Sequence, residues 1–446
     1  MNILVINGSP KGKYSITIQT VLYLKKRFPE HSFRELQVGQ RIRYYENDMS
    51  GALKLMNDAD VLLFSYPVYT FLAPSQLARF VELLKREAPD LTGKYASQIT
   101  TSKHFYDMTA HRYIEDNCRD LGLKVIHGLS ADMEDLLSEQ GQKDAGAFMK
   151  YLSYCVTNDI YEKAPAKRET IETPEYKASA AAAPRQKGFD TVLVADVREE
   201  DETLKEMIAD FKAFYPYPVR EVNIAEFPFA GGCLGCFRCA ADGKCVYKDG
   251  FDSFLREKIQ TADAIVYAFA IRDHSMGARF KMYDDRQFCN GHRTVTAGKP
   301  CAYITAGDFE NEPNLRTVIE ARAEVGHNFL AGVGYDKETI ESAAGKLCYA
   351  LENHYEKPRN FYGVGGMKIF RDLIWVTRGL MKADHEFYKK RGLYDFPQKK
   401  FGQMLLLSAL GAMVRNPKIL AKMGNKMNEG MVAPYRKVVE KQRDRA

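Results

Sequence analysis

"NILVINGSPKGKYSITIQT", residues 2–20, decides how the rest of the chain is read. Its first six residues form a short, nearly continuous apolar run, as expected of a strand buried on both faces of a parallel sheet. A loop of Gly, Ser, Pro and Lys follows, and then a stretch that opens a helix. Strand, small polar loop, helix is the first unit of a doubly wound α/β domain. Such a loop can aim backbone N–H groups and hydroxyls at one anion, at the positive end of the helix. Ser9, Ser15 and Thr17 supply hydroxyls, Lys11 and Lys13 supply charge, and Ile16 lies between the two hydroxyls at the helix start. The loop is neither a Walker A motif nor G-x-G-x-x-G. Read plainly, it could equally be a solvated turn.

The same rhythm continues outward. "ADVLLFSYPVY" (59–69), "YASQITTS" (95–102) and "LKVIHGLSADM" (123–133) read as further strands, with helical stretches such as "SQLARFVELLKRE" (75–87) between them. Residues 1–161 therefore predict one α/β domain. Residues 162–188, with three prolines and an alanine run, read as an exposed linker. The pattern restarts at "FDTVLVADV" (189–197) and runs through "ADAIVYAFAI" (262–271) and "KPCAYITAG" (299–307). A second α/β domain is expected over 189–356, a duplication too long for a solenoid repeat. Residues 357–446 predict a mainly helical, basic region that carries the only tryptophan, Trp375.

Pro67, Val68, Tyr69 and Phe71 offer a rigid aromatic wall at the carboxyl end of a buried strand, where ligands sit in open α/β sheets. The alternative is a hydrophobic loop packed on its own helix. Taken together, G-S-P-x4-S-x-T and P-V-Y-x4-P-x-Q-L-x-x-F resemble the flavodoxin-like family of NAD(P)H-dependent FMN reductases. The resemblance implies an FMN phosphate on the first loop and the flavin ring against Pro67–Tyr69. It implies NAD(P)H as reductant, and a third loop that touches the ring through Thr101 and Ser102, with His104, Phe105 and His111 nearby.

Residues 231–251, "GGCLGCFRCAADGKCVYKDGF", hold Cys233, Cys236, Cys239 and Cys245 in the spacing C-x2-C-x2-C-x5-C. Thiolates so spaced on a tight loop can converge on one cubane. Four-thiolate zinc and a metal-free thiol or disulfide switch are the alternatives. With the stretch that follows, including Met276, Lys281, Asp285 and Arg286, the segment resembles the iron–sulfur flavoprotein branch of the same superfamily. That resemblance implies a [4Fe–4S] cluster on the four cysteines. Arg238, Lys244 and Lys248 would offset its charge, and Gly232, Gly235 and Gly243 would offer N–H groups to sulfur. The second domain departs from the first elsewhere. "ADVREEDETLK" (195–205) sets Glu199, Glu200, Asp201 and Glu202 where a phosphate would dock, and "AIR" (270–272) replaces P-V-Y. A flavin site is therefore expected in the first domain only, with the cysteines of the second receiving its electrons.

Charge and composition bound the rest. From Arg359 onward 19 Lys/Arg stand against 7 Asp/Glu, while the remainder of the chain is net acidic. The basic tail predicts helices that cover the domains, a peripheral contact with an anionic membrane, or a partner protein, and argues against nucleic acid. "FGQMLLLSALGAMV" (401–414) is apolar but too short to span a bilayer. The chain opens on a strand with no leader pattern, which predicts a cytoplasmic protein. The expected function is a flavin oxidoreductase that delivers electrons to a small-molecule or small-protein acceptor, with a homodimer as an expected assembly. A redox sensor or electron-carrier module, or a plain FMN reductase without a cluster, are the competing readings.

Overall fold

The computed structural model describes residues 1–163, 176–178, 186–415, 418 and 429. Most of the expected linker, and the tail beyond 415 apart from two residues, lie outside the described residues. The chain divides into two compact units between Phe387 and Tyr388.

The first unit contains two parallel sheets. In one, β1 (Asn2–Asn7), β2 (Ser32–Gln37), β3 (Val61–Pro67), β4 (Tyr95–Ser102) and β5 (Lys124–Val125) run in the order 2-1-3-4-5, and β6 (Leu129–Asp132) pairs with β4. In the other, β7 (Thr191–Asp196), β8 (Val219–Asn223), β9 (Ala264–Ala270), β10 (Cys301–Ala306) and β11 (Leu330–Gly334) run in the order 8-7-9-10-11. Each is the flavodoxin-like order, with its first strand between its second and third. The continuous apolar runs have their expected cause: from Ile3 to Asn7 and from Val61 to Tyr66 every residue is buried. The topology reverses between β1 and β3, so a cleft opens beyond their carboxyl ends.

Five helices of this unit position the site: α1 (Ile16–Arg27), α2 (Ser75–Glu87), α3 (Glu202–Phe214), α4 (Gly277–Arg286) and α5 (Pro313–Gly326). The two sheets are joined where α2 of the first packs on α4 of the second. Leu77, Phe80 and Val81 belong to the same hydrophobic core as Met276, Phe280 and Tyr283. At the amino end of α4 the Ala278 N–H donates to Glu82 Oε1 at 2.7 Å. The start of the basic region also belongs to this unit. Helix α6 (Phe361–Val376) packs on α5, and Phe370 reaches the Phe105 ring at 4.7 Å. Beyond the division lies α7 (Phe401–Val414). Among the described residues no helix is long and apolar enough to cross a membrane.

His274 ties the two halves electrostatically. Its Nε2 lies 2.9 Å from Asp120 Oδ2 and its Nδ1 2.8 Å from Glu312 Oε1. Hydrogen bonds to Asp120 and Glu312 raise its pKa to about 9. Because the folded value lies above the unfolded one, this stabilisation is fully present below pH ~6.5 and is lost as pH rises through about 9. Thermal unfolding from pH 6 to 9.5 should therefore show a loss on the order of 1–2 kcal/mol, after allowance for solvent screening. His274→Gln should remove that slope. An unchanged slope in the variant would assign the pH dependence elsewhere.

Candidate functional site

The first loop is shaped by its own side chains. The Ser9 N–H donates to Asn7 Oδ1 at 3.1 Å and the Lys11 N–H donates to Ser9 Oγ at 3.2 Å, which closes a tight polar turn. Ser15 then caps the start of α1 in position only, because no side chain accepts from the first-turn N–H groups. Those donors and the buried Ser15 hydroxyl are the set an anion would need.

A cavity of about 370 Å³ opens at these strand ends. Ser9, Lys11, Ser15 and Ile16 line it from the first loop; Pro67, Val68, Tyr69 and Phe71 line it from the second. Thr101 and Ser102 line it from the end of β4, and the buried Ser102 hydroxyl has no partner within the protein. Thr17 stands behind the wall. It is fully buried, and its Oγ1 lies 2.6 Å from Thr101 Oγ1, which ties the first loop to the third. His111 also stands behind, 2.8 Å from Thr100 Oγ1, and burial lowers its pKa to about 4, so it is neutral. His104 is exposed and pairs with Asp107, whereas Phe105 reaches the cavity.

The aromatic wall is a tight turn in which the Tyr69 N–H donates to Leu72 O at 2.8 Å. Thr70 and Phe71 take φ of 41° and 72°, a left-handed backbone that costs a non-glycine residue roughly 1–2 kcal/mol. The other domain holds the turn in place. Lys281 Nζ donates to Tyr69 O and Thr70 Oγ1, both at 2.8 Å, and pairs with Asp285. Asp285 in turn accepts from Thr70 Oγ1 at 2.8 Å and from the Ser75 N–H at 2.8 Å. Lys281 and Asp285 are 2 % and 0 % exposed, so both charges are spent on this loop. Burial pushes the Asp285 carboxyl up, and Lys281 opposes that.

The four cysteines line the same cavity. Gly235 has a φ of +61°, and a Cβ there would lie 1.9 Å from Tyr69 Oη, so only glycine fits against the wall. Gln76 Nε2 donates to Cys233 O at 3.2 Å, which fastens the cysteine loop to α2. Lys11 lies 4.8 Å over the Phe237 ring; burial lowers its pKa, and charge on Cys236 and Cys233 would raise it.

The sulfurs have donors. The Gly235 N–H reaches Cys233 Sγ at 3.4 Å. Arg286, held by Asp249 through two 2.8 Å bonds, approaches Cys245 Sγ at 3.8 Å. Of the cations and glycines expected to serve the sulfurs, Gly235 does so, and Arg286 joins it. Burial pushes the Cys239 thiol up to about 11 and the Cys233 thiol higher still. N–H···S and guanidinium···S contacts suit thiolates that ligate iron. Among the described residues no three His, Cys, Asp or Glu side chains converge on one ion-sized site, so the sulfurs are not drawn in to zinc distances of about 2.3 Å.

The corresponding loop of the second domain is filled by its own side chains. Asp201, at the start of α3, folds inward, accepts from the Arg198 N–H at 2.9 Å and pairs with Arg272 at 2.6 Å. Arg272 is the residue that stands where the first domain has Tyr69. The Asp201 carboxylate is thus used within the second domain, on its own loop and on Arg272.

Residues the sequence reading had not placed at the site are Thr70, His292, Arg322 and Asp384. His292 lines the cavity, and both its N–H and its Nδ1 meet the buried Asp384, at 3.0 and 3.1 Å. No local pattern in the sequence marks them: His292 lies in "CNGHRTV" and Asp384 in "MKADHEF", both polar stretches.

Fold and lining define a flavodoxin-like cleft at the strand ends, faced by a four-cysteine loop. Residues 1–128 match the family model of NADPH-dependent FMN reductases. An iron–sulfur flavoprotein of Archaeoglobus fulgidus is 27% identical over 173 residues, 36% of this chain and 78% of that protein. One from Clostridioides difficile is 22% identical over 223 residues, 48% of this chain and 92% of that protein. A solved FMN-dependent NADH-azoreductase of Bacillus anthracis shares 15% identity, covers 34% of this chain and 98% of its own, and superposes with a TM-score of 0.28. The match to NADPH-dependent FMN reductases thus falls on the first domain, and the chain is similar to iron–sulfur flavoproteins over 36% to 48% of its length.

Proposed function

We propose that this oxidoreductase passes electrons from FMN held by the first domain to a [4Fe–4S] cluster held by Cys233, Cys236, Cys239 and Cys245, and on to a small-molecule or small-protein acceptor. One observation carries the reading: the P-V-Y wall and the cysteine loop share one cavity, with Gly235 seated against Tyr69. Bound FMN supplies two-electron exchange with a nicotinamide, and a cluster supplies one-electron exchange.

The chain's own residues do the rest. Ser9, Ser15 and the first turn of α1 take the phosphate end. Pro67, Val68, Tyr69 and Phe71 hold the ring, and Thr101 and Ser102 close the cavity at the end of β4. Lys11 stands between the phosphate loop and the thiolates and offsets the charge of both. Gly235 and Arg286 donate to sulfur and stabilise the anionic form. The curated relatives named for an iron–sulfur flavoprotein support the cluster assignment.

Protein prepared without oxygen should carry about one FMN, four irons and four sulfides per chain, with absorption from both groups. A flavin band without iron or labile sulfide would leave a plain FMN reductase. Iron without flavin would overturn the assignment of the first loop.

A further inference from the structure

Helix α7 presents an unusual surface. Its sequence, "FGQMLLLSALGAMV", has no charged residue, and its only polar side chains are Gln403 and Ser408. Apolar residues occur on every side rather than in one stripe. Such a helix is normally enclosed by protein or lipid. Here it is open: Phe401 is 66 % exposed, Leu406 61 % and Leu407 58 %, with Met404, Leu405, Leu410 and Met413 also exposed. At roughly 100 Å² each these seven side chains present on the order of 700 Å², above the few hundred Å² of the largest patch on a typical soluble protein.

The charges around the helix indicate what covers it. From Tyr388 to Lys418 there are seven Lys or Arg and a single acidic residue, Asp395. Lys389, Lys390, Arg391, Lys399, Lys400, Arg415 and Lys418 are all exposed. Basic residues therefore stand at both ends of an uncharged apolar segment. A protein surface could match the apolar part. An anionic lipid surface matches both at once, with acyl chains for the helix and headgroups for the flanking cations. Fourteen residues extend about 21 Å against a hydrocarbon core of about 30 Å, so the helix reaches into one leaflet without crossing.

We infer that the unit beginning at Tyr388 is a monotopic anchor that seats this protein on anionic lipid through α7 and its basic flanks. The inference does not rest on the cofactor assignment, since no residue of the cavity takes part.

The test is co-sedimentation of the full chain with vesicles of phosphatidylcholine, alone or mixed with phosphatidylglycerol. Binding to the mixed vesicles is expected, about tenfold or more weaker to phosphatidylcholine alone, and weakened several-fold by raising salt from 0.1 to 0.5 M. Leu405→Glu with Leu407→Glu should abolish sedimentation and leave the helix content and flavin occupancy of the protein unchanged. Because both side chains are exposed, the double variant is expected to fold. Lys399→Glu with Lys400→Glu should remove the preference for the anionic lipid. Absence of vesicle binding by the unsubstituted chain would overturn the inference. So would a dimer that the leucine variant dissolves while vesicles make no difference, since α7 would then be the contact between two copies of the chain.

Discussion

Lys281→Met is expected to cost about 3–5 kcal/mol of stability and to weaken FMN binding by about tenfold or more. The stability loss follows from Asp285, which is completely buried and would lose the one cation it pairs with among the described residues. The flavin effect follows separately. Lys281 Nζ bonds both Tyr69 O and Thr70 Oγ1, so without it the left-handed turn at Thr70 and Phe71 loses its main external restraint. The two effects can be pulled apart. In Lys281→Met with Asp285→Asn no uncompensated charge remains, and the amide can still accept from the Ser75 N–H. Urea unfolding should show much of the stability restored, while fluorescence titration should show FMN affinity still weakened. Recovery of both together would mean that the pair only supports the core and does not shape the wall.

Cys239→Ser should remove iron while leaving FMN in place. Cys239 lines the cavity from the cysteine loop, whereas Ser9 and the P-V-Y turn line it from the first domain. Flavin bleaching by NAD(P)H under anaerobic conditions should persist. Steady transfer to a one-electron acceptor should fall by about 100-fold, corresponding to ~3 kcal/mol on the limiting barrier. Cys118→Ser is the control, because Cys118 is buried in the core of the first domain and takes no part in the cavity. If iron content and transfer survive in Cys239→Ser, the four-cysteine cluster is wrong and the loop serves another purpose.

Much of the fold was legible in the chain because its strands are buried on both faces. Ile3–Ile6 and Val61–Phe64 read as continuous apolar runs for that reason. The candidate loops were legible because they follow those runs directly and are built from residues that turn and donate hydrogen bonds. Thr17 shows the limit. Its hydroxyl was expected at the anion, but the helix turns it inward to Thr101, 84 residues away, and no local pattern records that choice. The acidic loop is similar. Glu199–Glu202 read as a run of carboxylates, but not as one whose Asp201 would fold onto Arg272.

By itself the sequence determined two flavodoxin-like sheets, a Gly, Ser and Lys loop after the first strand, a four-cysteine loop in the second domain, and a basic, apolar tail. Each is a local property, set by residues within a turn or two of one another. Only the tertiary structure decided that these parts act on each other. Packing α2 against α4 brings Lys281 and Asp285 under Thr70, more than 200 positions away, and sets Gly235 against Tyr69. The physical reason is that a buried charge needs a partner, and a close backbone approach needs a glycine, wherever in the chain the partner or the neighbour arises.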